Sequence, residues 1–184
     1  GWVSWRVNRQ VFEPLVDEDL SKPSAEAAVP ALRPGLAESW EVSPDGTVYT
    51  FHIRPNVTFH DGTPLDAAAV EFNVRRMWDK SFEFYDAKAA GQTNFIWQHL
   101  ESVSTPDPMT LQLTLTQPFE PLLRLLPQGG NGSTGIMSPT AVRTYGNDDV
   151  GEHPVGTGSF KFVDRVRGQR ITLERNDAYW GQKP

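Results

Sequence analysis

The run from Leu36 to Arg76 constrains the fold more than any other part of this chain. Trp40 and Val42 alternate with Ser39, Glu41 and Ser43, the period-two pattern of a half-buried strand. Pro44-Asp45-Gly46 then supplies turn chemistry, and Tyr49, Phe51 and Ile53 alternate with Thr50 and His52 on a returning strand. Val57 and Phe59 make a third, short strand, and His60-Asp61-Gly62-Thr63 a turn. Asp66 stands where a helix needs an N-cap acceptor, and Val70, Val74, Met77 and Trp78 follow as one apolar stripe. A hairpin that runs straight into a capped amphipathic helix must bury both on one core.

The remaining segments extend the same theme. Trp5 to Phe12 reads as a helix with Trp5, Asn8, Arg9 and Phe12 on one side, ended by Pro14. Leu20 to Pro34, rich in Ser, Ala and Pro, reads as a loop, and 81–91 carries no clear period. Phe95 to Leu100 is expected as a short helix. Val103 to Asp107 and Thr110 to Thr116 form a second antiparallel pair, with Leu111, Leu113 and Leu115 on the buried face. Phe119 to Leu126 and Pro139 to Tyr145 read as helices, the latter with Pro139 at its first position after Ser138. Gln128 to Gly135 is a glycine-rich loop, and a last hairpin turns at Arg167-Gly168. The class is α+β with antiparallel hairpins and short helices, and 15 Gly with 15 Pro argue against a helical bundle.

Composition narrows function by exclusion. A net charge of −6 disfavours a general attraction to nucleic acid or anionic lipid. Arg165, Arg167 and Arg170 read as the solvated face of the last hairpin. With no cysteine, disulfides and thiolate metal sites are ruled out. No apolar stretch approaches the ~20 residues that span a bilayer, and the start at Gly1 carries no export signal, as expected of a mature or trimmed chain.

His52, His60, Asp61, His99 and His153 are the residues from which a catalytic reading would start. His52 and His60 are separated by a turn after Arg54-Pro55, so they do not form the i, i+4 pair of a zinc helix. His60-Asp61-Gly62-Thr63 is accounted for as a turn leading into the capped helix. Gly156-Thr157-Gly158 is a weak phosphate signal, because a strand follows it where a phosphate loop would open a helix. No cofactor, catalytic residue or metal ligand is expected.

Four ordered blocks carry a family resemblance. They are Leu36 to Arg76; Val11-Phe12-Glu13-Pro14-Leu15-Val16; Ile136-Met137-Ser138-Pro139-Thr140-Ala141-Val142; and His153 to Phe162, continuing to Leu173-Glu174-Arg175-Asn176 and Tyr179-Trp180-Gly181. Together they resemble the bacterial extracellular solute-binding proteins of family 5, the peptide- and nickel-binding components of ABC importers. Ser159 departs from the family, which usually carries proline there.

The resemblance implies the first lobe of a two-lobed periplasmic binding protein (type II-like, cluster C) with the second lobe absent. Residues 1–16 and 155–184 would belong to the lobe's central-sheet domain, and 17–154 to an inserted subdomain. It implies a non-catalytic receptor that takes a short peptide or other small solute in an interlobe cleft and hands it to an ABC permease. Nickel chelates, opines and oligosaccharides are the other cargoes of the family. The solute would meet Trp2 and Ser4 before the opening helix, Phe84, Tyr85 and Trp97 in the aromatic middle segment, and Gln128 and Asn131 in the glycine-rich loop. The expected place is the periplasm or outer cell envelope, with membrane attachment only through the permease or a lipid anchor outside this chain. Two alternatives differ in class: a ligand-sensing domain of a regulator, and a metal-assisted hydrolase around His60 and Asp61.

Overall fold

The structure, a computed structural model, describes residues 2–21, 29–127 and 134–183, with residues 2–5 described in backbone only. Helix α1 (Trp2–Val11) leads into strands β1 (Val16–Glu18) and β2 (Leu32–Pro34), which pair antiparallel. Then come β3 (Ala37–Val42), β4 (Val48–Ile53), α2 (Ala67–Trp78), α3 (Ala87–Trp97), β5 (Leu100–Asp107) and β6 (Thr110–Leu115). A short α4 (Leu122–Leu125), α5 (Pro139–Asp149), a 3-10 turn (Val150–Glu152) and the β7–β8 hairpin (Phe160–Val166, Arg170–Arg175) complete the described elements.

The two hairpins predicted from alternation join into one antiparallel sheet of order β3-β4-β6-β5. Phe51 on β4 lies opposite Trp40 on β3 and Leu111 on β6. Phe51, Leu111 and Leu113 are fully buried, while Thr50, His52, Gln112 and Thr114 on the alternate positions are only half-buried. One face of the sheet is therefore dry, and α2 packs across it through Val70, Val74 and Met77. The Asp66 carboxylate caps α2 as expected, accepting from the Ala69 N–H at 2.7 Å. Val57 to Leu65 makes only an isolated bridge, Thr58 to Pro64, where a short strand was expected.

Four helices differ from their sequence-based bounds, and the first, α1, begins at Trp2, so Trp2 and Ser4 stand in it and not before it. The helix expected over Phe95 to Leu100 is displaced: α3 begins eight residues earlier, at Ala87, and ends at Trp97. The Asp86 side chain accepts from both Lys88 and Ala89 N–H groups, and this cap with the alanines after it outweighs Gly91. Leu100 already belongs to β5. Helix α5 has the predicted start, with Ser138 accepting from the Ala141 N–H, but runs past Tyr145 through a break at Gly146 (φ 69°, ψ 172°). The expected helix over Phe119 to Leu126 shrinks to the single turn of α4, and part of the expected 20–34 loop is β2.

The block Gly156-Thr157-Gly158 explains itself by contact. A Cβ on Gly156 would lie 2.1 Å from the Val11 carbonyl oxygen, and one on Gly158 2.2 Å from that of Gln10. The returning chain thus runs backbone against backbone along the end of α1, with the Gly158 N–H donating to Val11 O at 2.9 Å. Those glycines serve close approach, not phosphate.

Candidate functional site

Of the residues expected to meet a solute, the side chains of Trp2 and Ser4, and Gln128 and Asn131 entirely, lie outside the described residues. The structure places Phe84 and Tyr85 together, half-buried, on the segment between α2 and α3. Trp97 is a correction. It is 5% exposed and sits in the main core, so its ring has no face to offer a solute. The reason is the longer α3, which turns Ala90, Thr93, Ile96 and Trp97 inward together. Among the described residues its indole N–H and the Thr134 hydroxyl have no partner, and both border a small apolar cavity with Leu15, Val74, Met77, Leu126 and Ile136.

Phe84 belongs to a second, smaller core. Its ring stands 5.3 Å from Phe72 and 5.8 Å from Phe82, with Phe72 and Phe82 edge-to-face at 5.1 Å. Arg75 covers the Phe82 ring at 4.5 Å and Arg143 covers Phe72 at 4.8 Å. Arg76, 8% exposed, pairs with Asp86 at 2.7 Å and donates through Nε to Asn147 Oδ1 at 2.8 Å. Burial pushes the Arg76 guanidinium below its usual value, and the Asp86 charge opposes that shift.

A second polar centre lies where three distant segments meet. Glu13 accepts from the Tyr179 hydroxyl at 2.7 Å, the Trp180 indole N–H at 2.8 Å and the Thr157 hydroxyl at 2.8 Å. Burial raises the Glu13 carboxyl above its ordinary value, and those three donors pull it part of the way back. The same surroundings push the Tyr179 hydroxyl up, burial first and the Glu13 charge second. Arg54 stacks on the Trp180 ring at 4.3 Å, which ties this end of the chain to β4. Beside the cluster is an open cavity of about 630 Å³, bordered by Arg6, Arg9, Asp17, Arg33, Tyr179 and Gln182 among others. Asp17 accepts from Arg9 at 3.0 Å and Arg33 at 2.8 Å across it.

The sequence left the role of Glu13, Asn73 and Asn147 unread. Asn73 shares the apolar side of α2 with Val70 and Met77, a misplaced amide in a helical stripe, and that was the available signal. It bridges to Met137 in both directions, Nδ2 donating to the Met137 carbonyl at 2.8 Å and Oδ1 accepting its N–H at 3.0 Å. Glu13, flanked by Phe12, Pro14, Leu15 and Val16, was marked in the same way.

His60 and Asp61 do not form an acid–base pair. His60 Nε2 lies 2.9 Å from the Gly158 carbonyl, which makes Nε2 the protonated nitrogen of the neutral ring, and burial lowers its pKa. Asp61 accepts from the Ser138 and Thr63 hydroxyls at 2.5 and 2.6 Å. Ser138 is fully buried and spent as the cap of α5, so no nucleophile faces solvent there. Among the described residues no three His, Cys, Asp or Glu side chains gather as a metal site, and no helix is long and apolar enough to cross a membrane.

The model of a family described as bacterial extracellular solute-binding proteins, family 5 Middle, matches residues 31–184. The glutathione-binding protein GsiB of Salmonella paratyphi A is 33% identical over 149 residues, covering 80% of this chain and 27% of GsiB. The periplasmic binding protein AgaA from A. tumefaciens R10, solved with agropinic acid, superposes with a TM-score of 0.81 at 28% identity over 99% of this chain and 33% of AgaA. DppA from Helicobacter pylori, solved with the peptide STSA, gives 0.74 at 29% identity over 95% of this chain and 35% of DppA. The chain thus spans about a quarter of its curated relatives and a third of the solved ones. These relatives are solute-binding proteins, not enzymes.

Proposed function

Because the chain belongs to the bacterial extracellular solute-binding proteins of family 5, we propose that it is part of a receptor that captures a short peptide and delivers it to an ABC permease in the cell envelope. The supporting observation is the match over residues 31–184, joined to a glutathione-binding relative and a peptide-bound solved neighbour. Glutathione is itself a tripeptide, so both point to a cargo of a few residues. In this reading residues 1–16 and 155–184 form part of the central-sheet domain and 17–154 its inserted subdomain. Trp2, Ser4, Phe84, Tyr85, Gln128 and Asn131 supply this lobe's share of the contacts. Attachment to the membrane runs through the permease or a lipid anchor beyond this chain.

Binding would be capture without turnover, the cleft closing by a shift of population toward the closed form. Calorimetric titration of the full-length protein with glutathione and with the peptide Ser-Thr-Ser-Ala tests it. Saturable one-to-one binding of either, with the ligand recovered intact, is expected. Retention of an opine or a nickel chelate, with neither peptide bound, would reject the peptide assignment, and turnover lost on His60→Ala would reject the receptor.

A further inference from the structure

The backbone carbonyls of Phe84 and Tyr85 are both taken by one side chain from α5. Asn147 Nδ2 donates to the carbonyls of Phe84 and Tyr85, both at 3.1 Å, while its Oδ1 accepts from Arg76 Nε at 2.8 Å. The amide therefore satisfies two neighbouring backbone acceptors and a buried cation at once. Arg76 closes the circuit, since its carbonyl accepts from the Asp86 N–H at 2.9 Å and its guanidinium pairs with the Asp86 carboxylate. Asp86 in turn caps α3.

Asn147 can reach these groups because the residue before it leaves the helix. Gly146 adopts φ 69°, ψ 172° inside α5, a backbone region open essentially to glycine alone. A regular α5 would carry residue 147 around the helix axis with its turn. The break and the three-way amide are independent observations that serve one end.

We propose that Asn147, redirected by Gly146, is the positioning residue that fixes Phe84 and Tyr85 for solute contact, coupling α5 to the segment between α2 and α3. This rests on the reading of those two aromatics as ligand contacts. It assigns Asn147 no contact with the solute itself. Arg76 is the charged group that bonds it, itself paired with Asp86, and Lys88 pairs with the adjoining Asp148 at the surface.

Hydrogen exchange of the full-length protein read by mass spectrometry tests the proposal, with Asn147→Ala and Asn147→Asp. The aspartate keeps an acceptor for Arg76 but sets an oxygen against two carbonyls, so it isolates the donor function. Both variants should raise exchange in 82–89 about tenfold, with β4 and β6 unchanged and the urea midpoint lowered more by Asn147→Ala, which strands Arg76 Nε, than by Asn147→Asp. Gly146→Ala, whose added Cβ meets no atom within 4 Å, should raise the same segment and serves if either variant fails to fold. Glutathione affinity should fall about tenfold with Asn147→Asp.

Unchanged exchange in 82–89 in folded variants overturns the proposal. Raised exchange with undiminished glutathione affinity also overturns it, leaving Asn147 a brace alone. A wild-type protein that binds neither glutathione nor Ser-Thr-Ser-Ala counts against the peptide cargo proposed above, and the exchange result then decides for Asn147; if only Ser-Thr-Ser-Ala binds, its affinity is the one read in the variants. Undiminished glutathione affinity in Tyr85→Ala would reject the contact reading separately.

Discussion

The four-stranded sheet under α2 and the junction at Glu13 hold the same molecule by opposite means. The sheet is held by apolar area: Phe51, Ile53, Leu111 and Leu113 are at most 2% exposed and interlock from neighbouring strands. The junction is held by one buried carboxylate with three donors and by glycines that let backbones touch. Within each hairpin of the sheet the joined residues are close in sequence, and only the β4–β6 seam, where Phe51 meets Leu111, joins distant segments, through apolar contact and a regular ladder. Residues joined at the junction are up to 167 positions apart. This chain uses apolar burial to build its elements and polar specificity to bring its ends together.

The largest effect expected from either region is in the sheet. Phe51 is fully buried at the centre of the dry face, so Phe51→Ala should cost about 4 kcal/mol of stability, measurable as a lower urea midpoint. A loss under half of that would mean that neighbouring side chains collapse into the space and that the sheet is less tightly packed than the junction. Next is Gly156→Ala in the junction. Its Cβ would meet the Val11 carbonyl at 2.1 Å, a backbone atom that moves only if α1 or the returning strand moves, and about 3 kcal/mol should be lost. Tolerance of the alanine would show the two backbones to be loosely docked.

Glu13 sharpens the comparison because chemistry and pH can be varied separately. Glu13→Ala leaves the Tyr179, Trp180 and Thr157 donors without their acceptor and should cost about 2 kcal/mol. Glu13→Gln keeps an acceptor for Trp180 and Thr157, and the Tyr179 hydroxyl can turn to accept, so a much smaller loss is expected. The pH dependence follows from the raised folded-state pKa. The folded protein holds the Glu13 proton more tightly than the unfolded chain, so this group's stabilising contribution is complete below the ordinary carboxyl value of 4.5 and is lost as pH rises through the higher folded value. His60 works the other way: its folded pKa lies below 6.5, so its contribution is complete above that pH and declines as the pH falls toward the folded value. Urea midpoints from pH 4 to 8 should show the Glu13 component vanish in Glu13→Gln. An unaltered profile would refute burial of the charge.

The same contrast explains what was legible in the sequence. Alternation in β4 and β6 and the Asp66 stripe are local patterns, and both hairpins and α2 stand where those patterns put them. Trp97 went astray because the cap that lengthens α3 is Asp86, in a stretch without a clear period, and the longer helix turns the ring inward. Gly156-Thr157-Gly158 and Glu13 could be quoted as parts of a family pattern, yet their reason is contact between segments with no sequence proximity. Asn147 is further from view still, since its partners are two backbone carbonyls that any residues at 84 and 85 would present.

The smallest effect predicted belongs to the local side of the comparison. Asp66 accepts from the Ala69 N–H at 2.7 Å in the first turn of α2, and the backbone groups it serves have water as a substitute once it is removed. Asp66→Ala should therefore cost about 1 kcal/mol, and Asp66→Asn, which keeps the acceptor, only a fraction of that. Hydrogen exchange should quicken in the first turn of α2 and leave the Glu13 junction unchanged, because Val70, Val74 and Met77 still anchor the helix to the sheet. If exchange at Thr157 or Trp180 rises too, the cap and the junction form one cooperative unit. The division between locally specified elements and long-range polar closure would then fail at its most sensitive point.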